Sequence, residues 1–170
     1  MDTRAAAILA MTLNFATLIV VALWLFVPWS RRVTVAAAVT PLVIIHTGRT
    51  IALQLFSSQA YGYDIPDGIR DQIVWGDQIG FLLAFLTILA LWLRPPLAKP
   101  LSWLLVAVTV IDLTNALIGG LRYELLDKAT DVSWLILTFY VPMLWVSTGL
   151  ILWLLLTRRE ESWTPSSGES

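Results

Sequence analysis

Apolar positions along this chain gather into long runs, each closed by charges or turn formers. About 30 Å of hydrocarbon takes about twenty helical residues, and runs of that length occur at 5–28, 33–57, 71–94, 101–121 and 132–157. The pattern predicts an all-α fold, an integral membrane bundle of five transmembrane helices in one domain spanning 1–161. The first run is broken only by Thr12, Asn14 and Thr17. A signal peptide has a shorter apolar core behind a basic front end. Here Asp2 stands beside Arg4, and the run ends in Pro28-Trp29-Ser30-Arg31-Arg32, so the segment reads as a span.

Between the runs, residues 58–70 hold turn formers and acids and form the longest loop. Arg94-Pro95-Pro96-Leu97-Ala98-Lys99-Pro100 reads as a tight, rigid, basic turn. Arg122 to Asp131 is a short charged loop, and the Ser/Gly/Pro-rich residues 162–170 are expected to be a disordered tail. Pro41 predicts a kink in the second helix, and Pro142 lies near the middle of the fifth.

Charge orients the bundle. The loops after helices one and three, with the C-terminal flank, carry Arg31, Arg32, Arg94, Lys99, Arg158 and Arg159. The opposite side has Arg4, Arg70, Arg122 and Lys128, diluted by Asp64, Asp67, Asp71, Glu124, Asp127 and Asp131. Positive-inside counting then predicts a multi-pass cell-membrane protein with its N-terminus outside and its C-terminus cytoplasmic.

The interruptions inside the runs carry the chemistry. At about 1.5 Å per residue, Asn14, His46, Arg49, Asp77, Asp112, Asn115 and Tyr140 all fall roughly 17–24 Å from the inner boundary. Every helix therefore contributes a polar group to one slab, and the inner half is almost purely apolar. His46 and Arg49 are three apart, as are Asp112 and Asn115, so each pair shares a helix face. Gly48 and Gly80 allow close helix approach.

A charge at that depth costs roughly 3 kcal/mol or more, so Arg49 needs a partner, a water-filled cavity or a function, and its natural partners are Asp77, Asp112 or both. With both acids ionised and His46 neutral, the cluster carries a formal charge of about −1 and would hold a proton or attract a cation. The candidate catalytic residues are Asp112, His46 and Asp77. The candidate ligand-binding residues are Arg49, Asn115, Asn14, Tyr140, Trp75 and Gln78, with Trp75 walling a pocket beside Asp77.

Composition narrows the classes. The chain has 170 residues, 58% of them hydrophobic and 14% charged, with a mean hydropathy of +0.76. A net charge of −1 gives no basic patch to neutralise phosphates, so nucleic acid is not an expected partner. With no cysteine and one histidine, neither thiolate sites nor the usual multi-histidine zinc site is expected, and no metal or cofactor is implied. Of the nine tryptophans, Trp29, Trp92, Trp103, Trp134 and Trp153 suit interfacial belts.

Several motifs resemble those of an uncharacterised family of small bacterial five-helix integral membrane proteins. They are Gly48-Arg49, Gly76-Asp77, Asp112-Leu113-Thr114-Asn115-Ala116 with Gly119-Gly120, and Tyr140-Val141-Pro142-Met143-Leu144. Similar sequences often carry a Thr-His or Ser-His pair where this chain has Ser147-Thr148. The resemblance implies the five-helix architecture and the polar cluster, and no activity.

Three functions compete. The first is a site binding or acting on a lipophilic or lipid-like small molecule, with Asp112 as a buried acid, His46 as a proton relay and Arg49 as an anchor for an anionic head. The second is a structural or accessory subunit whose Arg–Asp cluster only fixes helix packing. The third is proton or ion conduction by a homo-oligomer. Membrane lipids are the expected surroundings in all three.

Overall fold

In the computed structural model, which describes residues 2–161 and Trp163, the described residues form helices and turns without a strand. Five helices are long and apolar enough to cross a membrane: α1 Thr3–Ser30, α2 Val35–Ala60, α3 Asp67–Leu93, α4 Pro95–Arg122 and α5 Asp131–Thr157. Local chemistry starts them. Asp2 accepts the Ala5 N–H at 2.7 Å, and Thr34 accepts that of Ala37 at 3.3 Å, each satisfying a donor without a partner inside its helix. Thr130 and Ser133 form a reciprocal capping box at the start of α5.

Two helices begin four or more residues earlier than the apolar runs. α3 starts at Asp67 rather than 71, because Pro66 is extended and the acid at Asp67 suits a helix N-terminus. α4 starts at Pro95 rather than 101, so the expected rigid turn shrinks to Arg94. Pro95 and Pro96 occupy the first helical positions, where a fixed φ is already helical and the missing N–H has no partner to lose. Of the expected tail, Ser162 and 164–170 lie outside the described residues, while Trp163 is buried against the apolar core.

The winding changes in three places. Ahead of Pro28 and Pro142, α1 and α5 each widen by one π-type turn, Ala22–Phe26 and Ile136–Tyr140. The Val141 N–H consequently reaches back five residues to the Ile136 carbonyl. In α2 the chain tightens to a 3₁₀ helix over Gly48–Leu53.

The two ends of the bundle are tied differently. At the end holding the N-terminus, Arg4 pairs with Asp127 at 3.7 Å and Lys128 with Asp64 at 2.7 Å. At the other end, Arg158 donates to the carbonyls of Ser30 and Val33 at 2.8 Å each, and Glu161 accepts the Val35 N–H at 3.0 Å. The latter half is filled by an apolar core including Val39, Val43, Leu105, Ile151 and Leu154. A second cluster around Leu55, Tyr63, Ile65 and Leu125 closes the N-terminal end. The outside of the bundle is apolar, with Leu23, Trp24 and Trp92 largely exposed.

Candidate functional site

Between those two apolar clusters α2, α3 and α4 meet at Arg49, which is wholly buried. Its Nε donates to Asp77 Oδ1 on α3 at 2.7 Å, and its Nη1 donates to Thr109 Oγ1 on α4 at 3.0 Å. Its Nη2 donates to Asp112 Oδ2, one helical turn beyond Thr109. Three nitrogens of one guanidinium thus engage three side chains, and both predicted acids are partners of the same arginine. The formal sum of one cation and two carboxylates is −1.

Glycines make the room. A methyl group on Gly76 would overlap the Asp112 carboxylate, and one on Gly80 would overlap the Arg49 guanidinium. The two are four apart on α3, so the missing side chains form one slot along a helix face, into which α4 and α2 each insert a charged group. On α2 itself, a Cβ at Gly48 would lie 2.9 Å from Tyr140 Oη. That hydroxyl donates to the Ile45 carbonyl at 2.9 Å, at the point where α2 tightens.

The remaining predicted residues divide. His46 is wholly buried, with Nε2 3.1 Å from Ser147 Oγ on α5. Ser147 also lies 3.0 Å from the Leu144 carbonyl. Whichever ring nitrogen carries the imidazole proton, Nδ1 is buried without a partner. Asn14 reaches α5 rather than the acids: its Nδ2 donates to the Thr138 carbonyl at 2.8 Å. That carbonyl sits four residues before Pro142, which has no N–H to offer it. Asn115 is exposed, Trp75 is 68% exposed on the outer face of α3, and Gln78 keeps a buried Nε2 without a partner. None of these three hydrogen-bonds to the arginine.

Two contributors are absent from the sequence-based candidates. Thr109 is signalled only by standing three residues before Asp112, and Ser147 only by the departure from the Thr-His or Ser-His pattern.

The acids also form a wall. A cavity of about 100 Å³ opens beside them, lined by Asp77, Asp112, Tyr63, Tyr140 and Ser133 among mostly apolar side chains such as Leu117 and Trp145. No Lys, Arg or His lines it: Arg49 sits behind the carboxylates, and His46 is not part of the lining. The arrangement offers hydrogen-bond acceptors and negative charge to whatever enters. Among the described residues no cluster of His, Cys, Asp or Glu is suited to a metal ion.

Comparison with curated proteins and with solved structures finds no match. A family model does match: the domain of unknown function DUF8737 covers residues 6–156, and the chain belongs to that family.

Proposed function

We propose that this member of a family of unknown function is a multi-pass membrane protein that binds a lipophilic small molecule by its polar head, at the carboxylates of Asp77 and Asp112. The observation that carries the proposal is the surplus acid at a cavity wall. One carboxylate neutralises Arg49; the second leaves a formal charge of −1 beside a space that no basic side chain lines. Intramembrane acids are costly and mark ligand or ion sites more often than bulk structure. Five long apolar helices and an apolar exterior support insertion in a bilayer, and the distribution of basic residues supports a cytoplasmic C-terminus. With Arg49 enclosed behind the acids, the head group bound is a donor or cation rather than an anion.

The clamp reading has an observation of its own, since Arg49 is enclosed on every side by α2, α3 and α4. Purified wild type and the Asp77→Asn and Asp112→Asn variants, matched for folding, separate the two. Extraction and mass spectrometry should find a lipophilic compound enriched with wild type and lost from both variants. Identical extracts from all three would leave only the clamp.

A further inference from the structure

We propose that the ligand enters sideways from the hydrocarbon layer and is a single-chain amphiphile with a protonated amine head. The head lies in the cavity against Asp77 and Asp112, and the tail lies in a groove between α1 and α5. This presupposes that the acid pair binds a ligand, as proposed above.

Size separates head from tail. The acid-lined cavity, at about 100 Å³, holds about three times the ~30 Å³ share of a water molecule, enough for an amine and a few carbons. An open apolar groove of about 650 Å³ adjoins it, with Phe15, Ile19 and Leu23 of α1 on one side and Val146, Gly149 and Leu150 of α5 on the other. Met11, Leu117, Val141 and Trp145 line both spaces, so only this layer of side chains stands between them.

The groove runs beside α1, which lies at the edge of the bundle. Only 11% of its apolar span is buried, against 28% or more in each of the other four helices. Opposite it, α5 presents Gly149, around which a Cβ would meet nothing within 4 Å. A bilayer fills such a groove with chains, so an amphiphile already in the membrane has its tail in place before its head turns inward.

Charge selects the head. Each carboxylate engages Arg49 through one oxygen; Asp112 Oδ1 lies in the slot at Gly76, and Asp77 Oδ2 is left for another donor. An ammonium supplies three donors and cancels the formal −1. A sulfate or phosphate head meets repulsion from two carboxylates, with no accessible cation in the lining to offset it.

The test is a scintillation-proximity assay with tritiated dodecylamine on the whole protein in phosphatidylcholine nanodiscs, read against empty discs. Saturable binding is expected, displaced by unlabelled dodecylamine, at least tenfold less well by dodecanol, and not by dodecyl sulfate. Gly149→Phe, whose ring fills the groove, should weaken binding at least tenfold, with Gly149→Leu as a smaller filler and Gly149→Ala matching wild type. Asp112→Asn should abolish the saturable component. Wild-type affinity in the folded Phe and Leu variants, with binding still lost in Asp112→Asn, would overturn the lateral groove and leave the acid site standing. Displacement by dodecyl sulfate as effective as by dodecylamine would overturn the amine head. No saturable binding of labelled amine, alcohol or sulfate would remove the acid-site proposal itself.

Discussion

The carboxylate of Asp112 occupies the space that a side chain at Gly76 would fill. Glycine there is a requirement of the neighbouring helix, not of its own backbone. Gly76→Ala should therefore destabilise the bundle by about 1–3 kcal/mol through overpacking. The same substitution at Gly149, which faces open space, should stabilise it by about 0.4–1 kcal/mol through helix propensity. Denaturation midpoints in one detergent compare the two, and equal effects of the same sign would contradict the slot.

Arg49 is the counter-charge for two buried acids, so its loss should be worse than the loss of the whole net. Arg49→Ala should cost about 3–5 kcal/mol by leaving the acids unpaired. The triple variant Arg49→Met, Asp77→Asn, Asp112→Asn should recover most of that. Folded yield and unfolding midpoint report the outcome; a triple variant no better than the single one would place the value of Arg49 in its shape rather than its charge.

Asn14 and Pro142 should be energetically coupled across 124 residues between Asn14 and Thr138. Pro142 deprives the Thr138 carbonyl of its helical donor, and Asn14 supplies the replacement. Asn14→Ala should destabilise by about 0.6 kcal/mol, the average for intramembrane hydrogen bonds. In a Pro142→Ala background, where the backbone N–H returns, that loss should vanish. A double-mutant cycle measures the difference directly.

At the N-terminal end, burial pushes the Tyr63 phenol up to about 12 from its usual 10. The buried neutral phenol stabilises the fold fully below about pH 10, where the unfolded chain also keeps its proton. As pH rises from about 10 to about 12 the unfolded state ionises first, and this contribution is lost. Stability of wild type should fall more steeply over that window than stability of Tyr63→Phe. Parallel alkaline profiles would show that Tyr63 ionises as freely in the fold as outside it.

The long apolar runs made the helices legible, because a span is specified by length and composition alone. Their ends were less so: Pro95-Pro96 reads as a turn in isolation and becomes a helix start only because nothing before it needs those N–H groups. Depth and the cost of an unpaired charge pointed Arg49 to Asp77, Asp112 or both, and sequence alone did not choose among them. Thr109 was not legible, since a threonine in a helix ordinarily bonds its own backbone. Asn14 shared the depth of the cluster, but its partner is a carbonyl, and backbone acceptors leave no mark in sequence beyond the proline that frees them. Trp75 illustrates the limit of adjacency: two residues before Asp77 in the chain, it is turned about 160° away on the helix.

The tightened stretch of α2, Gly48–Leu53, sets an angle as well as a length. At three residues per turn each residue advances about 120° instead of about 100°, so six residues accumulate about 120° of extra rotation and about 3 Å of extra rise. Everything in α2 beyond Leu53, including Leu55 and the Gln59 that accompanies Arg70, faces its direction because of that over-winding. Relaxation of this single stretch to α-helical winding would swing the C-terminal end of α2 by about a third of a turn relative to His46. The arginine therefore sits inside a torsional coupling, where the pitch of a few residues decides which neighbours the two halves of one helix can meet.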